Sequence, residues 1–324
     1  MLTLNQLNNL SELPDLALCK LENWDLISVV GEDRIKFLQS QLTCDMTALK
    51  PGQQTLAAQC TPQGKAWSIF RVIVLEEKIL LLQPSSVTEV QLPELQKYAV
   101  FSNVEITKDV EYQAIGLAGA QSGQYIEEKF NTNAMAGPSC LCENGIIIKQ
   151  PYPSLRYLII LKTQQADDVM NGLKDNINIF DDSLWNALNI EAGVGFIEKQ
   201  TTALFVPQML NLQALNGISF KKGCYLGQET IARTKSRGIN KRALFLLSGH
   251  AIETPKVGNN MQVQLNGNWK RIGTVISVGQ YADDYIEVLA VLPKDSNSEN
   301  IYQIQNISDS KLTISPLPYS LKEE

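Results

Sequence analysis

Histidine is almost absent from this chain of 324 residues, which contains only His250. A Ser/His/Asp or Cys/His catalytic mechanism would depend on that single imidazole. His250 follows the apolar run ALFLLSG at a predicted strand end and lies far along the chain from the other candidate residues. We therefore assign His250 a solvated or structural role and discount both mechanisms.

Cysteine is also sparse, and its spacing excludes a disulfide framework. The six cysteines are Cys19, Cys44, Cys60, Cys140, Cys142 and Cys224. They are spread over a long chain, and most are predicted to be small buried hydrophobic residues. The close pair Cys140 and Cys142 has no second pair and no histidine nearby, so we predict no metal site.

A signal peptide and a membrane span are both missing from the sequence. The N-terminal stretch MLTLNQLNNLSELPD has neither the basic start nor the continuous apolar run of a secretion signal, and no later segment has the uncharged length of a span. The net charge of −6 does not favour nucleic acid binding by the whole surface. We expect a cytoplasmic protein without membrane contact, and a monomer.

The hydrophobic content of 44% predicts a globular chain, and its length predicts two or three packed units. Strand-like and helix-like segments alternate in the first part, which indicates the α+β class with helices on one sheet face. Strands are predicted at WDLISVV and RYLIILKT, a hairpin within TPQGKAWSIFRVIVLEEKILLLQP, and a strand pair at VEITKDVEYQAIGLAG. Helices are predicted at GEDRIKFLQSQL, SSVTEVQLPELQKYAV, GQYIEEKF and QADDVMNGLKDN.

The sequence changes character after Arg237. Five short strand-like runs, RALFLLSG, MQVQL, RIGTVISVG, YIEVLAVLP and KLTISPLPY, follow without an intervening helix. This pattern predicts a small antiparallel barrel. Gly238 interrupts the preceding helix pattern, so we place the domain boundary near Ser236 to Asn240, between residues 1–236 and 237–324.

The stretch KKGCYLGQE, Lys221 to Glu229, places Cys224 in a predicted turn before a helix. Gly223 and Gly227 permit a tight turn that exposes the residues between them. The helix dipole and the positive charge of Lys222 and its neighbour would stabilise a thiolate there. The residues alone leave a second interpretation open, in which Cys224 is a buried structural cysteine.

The residues that flank the cysteine also have two interpretations each. Tyr225 either contributes to the thiol site or packs between domains. Gln228 and Glu229 either cap the helix or orient the thiol and a partner group. The segment from Lys221 to Arg242 holds seven basic residues and one acidic residue, which predicts either a solvated helix face or an anion site for a phosphate backbone.

A second constellation lies in SLWNALNIEAG, Ser183 to Gly193. Trp185 supplies an aromatic plate and Glu191 a carboxylate, a combination that suits a flat heterocycle with N–H donors such as a pterin. The alternative is that Trp185 is a core residue, as most tryptophans are.

Several motifs resemble the folate-binding, tRNA-modifying YgfZ proteins of gamma-proteobacteria. They are NLQALNGISFKKGCYLGQE, WNALNIEAG, KYAVFS, NKRALFLL and the C-terminal PLPYSL. The resemblance runs from Trp24 to the C-terminus and is most specific at Lys222 to Glu229. It implies a fold related to the T-protein of the glycine cleavage system: a ring of two intertwined ferredoxin-like units and a C-terminal β-barrel around a folate channel.

The resemblance also implies site residues, a cofactor and partners. Trp24, Trp185 and Glu191 would hold tetrahydrofolate or a derivative, and Cys224 would be the functional thiol. The family supports tRNA modification through synthesis or repair of iron-sulfur enzymes, including a tRNA methylthiotransferase, and influences the level of ATP-bound DnaA. A separate hypothesis, which rests on the basic residues of Lys221–Arg242, is direct tRNA contact through that segment. Because the chain is acidic overall, we favour contact with a modifying enzyme over stable tRNA binding.

One departure from the T-protein pattern concerns an aspartate that handles the aminomethyl group. The corresponding region, LLLQPSSVTEVQLPEL, contains no aspartate. We therefore expect an accessory protein more than a stand-alone enzyme, and retain as the alternative a folate-dependent one-carbon transferase with an unknown donor.

Overall fold

The structure is a computed structural model that describes residues 1–131, 137–173 and 177–321. Its strands are β1 (Ala17–Lys20), β2 (Trp24–Val30), β3 (Gln54–Cys60), β4 (Ala66–Val74), β5 (Lys78–Pro84), β6 (Glu105–Lys108), β7 (Tyr112–Ala118), β8 (Ser139–Cys142), β9 (Gly145–Gln150), β10 (Arg156–Lys162), β11 (Asn178–Phe180), β12 (Arg242–His250), β13 (Asn260–Leu265), β14 (Asn268–Gln280), β15 (Tyr285–Pro293), β16 (Tyr302–Ile304) and β17 (Ile307–Ser315). Its α-helices are α1 (Arg34–Gln41), α2 (Ser85–Gln96), α3 (Ser122–Phe130), α4 (Thr163–Leu173), α5 (Asp182–Glu191) and α6 (Gln228–Ser236). Within the described ranges, no helix is long and apolar enough to cross a membrane.

The first unit is a five-stranded antiparallel sheet in the order β3-β4-β5-β2-β6. The predicted hairpin is formed by β4 and β5, which turn at the two glutamates Glu76 and Glu77. Helix α1 buries Phe37 and Leu38 against Phe70 of the sheet. This burial explains why the apolar positions of α1 recur at helical spacing.

The second unit is a six-stranded sheet in the order β11-β1-β7-β10-β9-β8, and it is interleaved with the first. Strand β1 pairs antiparallel with β7 and parallel with β11. Strand β2 begins four residues after β1 ends, yet it belongs to the other sheet. The prediction of two intertwined α+β units is therefore confirmed.

The prediction of a strand pair at VEITKDVEYQAIGLAG is wrong in its pairing. Both strands form, as β6 and β7, but β6 pairs with β2 and β7 pairs with β1 and β10. The segment between β6 and β7, which crosses from one sheet to the other, is held by two ion pairs. The Lys78 ammonium lies 3.0 Å from the carboxylate of Asp109 and 2.6 Å from that of Glu111. Helix α4 agrees with its prediction as far as Leu173, and residues 174–176 of that prediction lie outside the described residues.

The C-terminal unit is a closed barrel in the order β12-β15-β14-β13-β16-β17, in which all neighbours pair antiparallel. The five predicted runs become β12, β13, β14, β15 and β17. Strand β16 was not predicted, because three residues are too few to show an alternating pattern. His250 is the last residue of β12, and it is exposed.

Helix α5 connects the three units. Trp185 packs over Gly116 of β7, while Ala187 and Ile190 face Gly279 of β14. The helix therefore contacts the six-stranded sheet on one side and the barrel on another. Its remaining side is left for a cleft.

Candidate functional site

A cleft lies where the five-stranded sheet, α5 and the barrel meet. It consists of two adjoining cavities of about 640 and 120 Å³. Both cavities are lined by Trp24, Pro84, Asn186, Glu198 and Val278, and we call them together the central cleft. The larger volume lies in the range typical of small-molecule sites.

Trp24 forms an aromatic wall of both cavities. The residue opens strand β2, and only 9% of its surface is exposed. Its indole meets the ring of Phe196 edge-on, with centroids 4.8 Å apart and planes at 86°. Phe196 thereby fixes the orientation of Trp24 and leaves it available as one side of a slot for a flat ring.

Helix α5 presents polar residues to the central cleft and apolar residues away from it. Asp182, Asn186 and Asn189 line the two cavities. Trp185 does not line either cavity and is 2% exposed. A Cβ on Gly116 would lie 2.5 Å from the Trp185 ring, so this tryptophan is locked against the six-stranded sheet behind the cleft wall.

Arg156 is a buried cation directly behind that wall. Its guanidinium carbon lies 4.6 Å from the centroid of the Trp185 ring, and its Nη2 donates to Asn189 Oδ1 at 3.0 Å. Burial lowers the pKa of Arg156 to about 9, so the group remains charged at neutral pH. Among the residues that the structure describes, Arg156 Nε and Nη1 and Asn189 Nδ2 have no hydrogen-bond partner. Of these two residues only Asn189 lines the central cleft, where its buried donor favours a ligand that supplies acceptor atoms.

Glu191 ends helix α5 and is half-buried beside a second carboxylate. Burial and, to a lesser degree, the charge of Glu287 raise the pKa of Glu191 to about 7, against an opposing effect of Arg156. Glu287 accepts a hydrogen bond from the Tyr281 hydroxyl at 2.8 Å, and burial raises the pKa of Glu287 as well. Glu191 therefore changes charge near neutral pH, a property that is common at binding and catalytic sites.

Sequence reasoning missed three polar groups of the cleft: Asp182, Asn189 and Glu198. Burial raises the pKa of both carboxyl groups, and Asp182 also accepts a hydrogen bond from the backbone N–H of Asn23 at 3.2 Å. A signal existed for part of this set, because positions 182, 186 and 189 recur at helical spacing within α5. Glu198 lies on a loop and has no local signal of this kind.

The Cys224 loop is anchored to helix α1 by Lys222. The Lys222 ammonium donates to the backbone carbonyls of Gln39, Leu42 and Cys44 at 2.6, 2.8 and 2.6 Å. Burial lowers the pKa of Lys222 to about 8, and the three carbonyl oxygens stabilise the ammonium, so it is charged at neutral pH. Lys222 thus donates hydrogen bonds at the end of α1, where the last backbone carbonyls lack partners within the helix.

Cys224 is exposed on this loop, whereas Tyr225 is buried. Gly227 has φ +81°, and a Cβ there would lie 2.6 Å from the backbone oxygen of Thr61, so this position requires glycine. Gly223 has neither a positive φ nor a close neighbour. Of the two predicted glycine constraints, only the one at Gly227 is present.

Helix α6 begins at Gln228, in agreement with the predicted start near Gly227. The N-cap residue of α6 is Gly227, and no side chain caps the helix there, so the predicted capping role of Gln228 and Glu229 is not observed. Glu229 is exposed and forms an ion pair with Arg233 one turn later. The Glu229 carboxylate is therefore already paired with a cation on the surface of α6.

The basic stretch is partly used within the protein. Lys222 is buried, Arg233 is paired, and Arg242 donates to the backbone oxygen of Ile272 at 2.8 Å. The other four basic residues, Lys221, Lys235, Arg237 and Lys241, are exposed. In the described chain, no wall residue of the central cleft comes from Lys221–Glu229, so the structure presents the cleft and the cysteine loop as two separate features.

Residues 240–307 match the family model for the YgfZ β-barrel domain. A tRNA-modifying protein YgfZ from Yersinia enterocolitica is 41% identical over 97% of this chain and 95% of its own length. The namesake from Pectobacterium carotovorum is 38% identical over 95% of this chain and 92% of its own. The chain belongs to the YgfZ family.

The solved structure of the glycine cleavage T-protein from Bartonella henselae resembles this YgfZ-family chain with a TM-score of 0.70 at 18% identity, over 94% of this chain and 86% of that one. At this identity the likeness shows the fold alone. The predicted T-protein-like α+β fold with a C-terminal antiparallel barrel is confirmed.

We predict that Lys222→Met destabilises the protein and that Lys221→Met does not. Methionine leaves three buried carbonyls without their donor, at a cost of about 1 to 3 kcal/mol for each unsatisfied group. Lys221 is the neighbouring exposed lysine and serves as the matched control. Thermal unfolding of both variants would measure the difference, and equal melting temperatures would contradict the anchoring role.

Proposed function

We propose that the central cleft binds tetrahydrofolate or a derivative, and that the protein supports tRNA modification with Cys224 as its functional thiol. The observation that carries the folate assignment is the aromatic wall of Trp24 in a cleft lined by Asn189, whose Nδ2 has no hydrogen-bond partner among the described residues. Glu191 ends the same helix but is not among the residues that line the two cavities. Trp24 and Asn189 offer a ring face and a donor in the cleft, and in this proposal Glu191 is the carboxylate acceptor that the family resemblance implies.

The chemistry of a pterin complements this set. A pterin is flat, and it carries amino and ring N–H donors that suit the two oxygens of a carboxylate. Its carbonyl oxygen and ring nitrogens accept hydrogen bonds, which Asn189 Nδ2 is able to provide. Trp24 would contact the ring face, and the hydrophobic contact would add to the polar recognition. The cleft residues therefore fit the cofactor that the fold suggests.

Trp185 supports the same cleft from behind in this proposal. It holds the guanidinium of Arg156 through a cation–π contact, and Arg156 in turn orients the amide of Asn189. Loss of Trp185 would act on folate through those two residues. We therefore assign Trp24 a contact role and Trp185 a positioning role.

The tRNA role is supported by the names of the relatives, which are called tRNA-modifying proteins. We propose that the protein acts in the cytoplasm as a monomer, supports synthesis or repair of iron-sulfur enzymes such as a tRNA methylthiotransferase, and influences the level of ATP-bound DnaA. Exposed Cys224 is available to a partner protein. Lys222, Tyr225, Gln228 and Glu229 build the loop and helix start around it.

A one-carbon transferase is the alternative function. Its T-protein relatives by fold would use an aspartate in the segment that here presents Pro84, Ser85 and Ser86 to the cleft. The carboxylate that this segment contributes to the cleft is Glu89 rather than an aspartate, and it lies 3.8 Å from the Lys199 ammonium. The cleft carboxylates Asp182 and Glu198 come from other segments. We therefore favour the accessory role, in which folate is bound without aminomethyl transfer.

We expect tetrahydrofolate and its 5-formyl derivative to quench the tryptophan fluorescence of the protein with saturation. Trp24→Phe should remove most of the quenching signal, because Trp24 lines the cleft. Glu191→Gln should weaken binding about tenfold, since it removes a charged acceptor that is worth roughly 1.5 to 3 kcal/mol.

Trp269→Phe is the matched control, because Trp269 lies on barrel strand β14 and is 37% exposed. That variant should keep both the affinity and the ligand-dependent change in fluorescence. Absence of saturable binding to the wild-type protein would remove the folate assignment. Equal affinity of the wild type and Glu191→Gln would remove Glu191 from the site.

We predict that folate affinity falls as the pH is lowered from 8 to 6. The pterin donors need the ionised form of Glu191, and a pKa of about 7 means that protonation removes this form within that range. The ionised fraction falls about tenfold between these two pH values, so the dissociation constant should rise by about that factor. Titrations across the range measure the effect. Glu191→Gln should show a flat profile, and a flat wild-type profile would contradict the role of Glu191.

We expect Cys224→Ala to lose the activity of the iron-sulfur tRNA methylthiotransferase in cells while retaining the fold and folate binding. Cys224 is exposed, so its removal leaves no cavity in the core. Cys142→Ala is the control, because Cys142 lies on strand β8 outside the motif. The measurement is the methylthiolated nucleoside content of tRNA from a strain that depends on the variant. Wild-type levels in the Cys224→Ala strain would exclude the thiol role.

A further inference from the structure

A second cavity lies between helix α6, the segment before the Cys224 loop and the barrel. It has a volume of about 470 Å³, and we call it the α6 cavity. Its wall includes Gln208, Gln213, Phe220, Lys235 and Lys294. None of its described wall residues is shared with the central cleft.

Two glutamine side chains give the α6 cavity unsatisfied hydrogen-bond acceptors. Gln208 is only 4% exposed, and its Nε2 donates to the backbone oxygen of Ile231 at 2.7 Å, which fixes the amide. The Oε1 atoms of Gln208 and Gln213 are both buried, and neither has a hydrogen-bond partner in the described part of the chain. A buried acceptor without a donor costs free energy, so these oxygens favour a ligand that carries N–H groups.

Two lysines give the same cavity a positive charge. The ammonium of Lys235 lies 4.1 Å from the centroid of the Phe220 ring, which holds it at the cavity wall. Lys294 enters from the loop after β15. Within residues 1–131, 137–173 and 177–321, neither lysine forms an ion pair, and no acidic residue lines the cavity. An anionic group therefore meets two available cations here.

We propose that the α6 cavity binds a phosphorylated nucleotide. The phosphate would lie on Lys235 and Lys294, and the amino or ring N–H groups of the base would donate to the side-chain oxygens of Gln208 and Gln213. A bare anion would leave those two oxygens unpaired. A neutral base would leave both ammonium groups unused. A nucleotide satisfies both sets of groups at once.

Such a nucleotide has two sources, a free mononucleotide or one residue of a tRNA. The second source rests on the proposed role in tRNA modification, whereas the first does not. Phe220 lies four residues before Cys224, so either ligand would occupy the wall next to the cysteine loop.

The test is calorimetric titration of the full chain with AMP, GMP, CMP, UMP and inorganic phosphate, and filter binding with unfractionated tRNA. The double variant Lys235→Gln/Lys294→Gln should weaken binding at least tenfold. Gln213→Leu should weaken nucleotide binding and leave phosphate binding unchanged. The matched control is Lys270→Gln/Lys311→Gln, which removes two exposed barrel lysines outside the cavity and should change affinity less than twofold.

Mononucleotide binding that is lost in the lysine variant supports the free source, and tRNA binding alone with the same loss supports the tRNA source. Phosphate binding as tight as that of every nucleotide, with no effect of Gln213→Leu, would overturn the inference in favour of a simple anion site. Absence of any binding that depends on the two lysines would also overturn it. Folate titration of the same variants separates the two proposals, because a chain that binds nucleotide and not folate retains this inference and loses the central-cleft assignment.

Discussion

The packing of helix α5 on two of its sides is the constraint on which the central cleft depends. One side carries Trp185 against Gly116 of the six-stranded sheet, and another carries Ile190 toward Gly279 of the barrel. A helix of 3.6 residues per turn has room for a third side, which presents Asn186 and Asn189 to the cleft. The cleft thus has its shape only when both units and the barrel are assembled.

Two buried cations show how satisfaction of hydrogen bonds separates structural from functional groups. Lys222 places its three N–H donors on three carbonyl oxygens, so nothing remains for a ligand. Among the described residues, Arg156 donates one hydrogen bond and contacts one tryptophan face, and its Nε and Nη1 have no hydrogen-bond partner. The first cation joins two segments of the fold. Arg156 keeps N–H groups that a ligand can still use, and leaving these buried groups unpaired lowers the stability of the fold.

The sequence alone predicted the elements whose signals are local. Hydrophobic periodicity located α1 and the β4–β5 hairpin, and short alternating runs located the barrel. Pairing between distant strands has no local signal, so the separation of β6 from β7 was missed. At the site, Trp24 and Glu191 were predicted as individual residues, but the buried position of Arg156 was not, because arginine at the start of an apolar strand is usually exposed. Trp185 is 2% exposed and is not among the residues that line the two cavities, as its interpretation as a core residue predicted.

The interleaved topology has a consequence for synthesis of the chain on the ribosome. Strands β2 to β6 lie within residues 24–108, so the five-stranded sheet is complete early. Strand β1 emerges before them, yet its neighbour β11 ends at Phe180. A ribosome needs on the order of 10 s to add the intervening residues. The first strand of the nascent protein must therefore wait, with one edge unpaired, until more than half of the polypeptide has been translated.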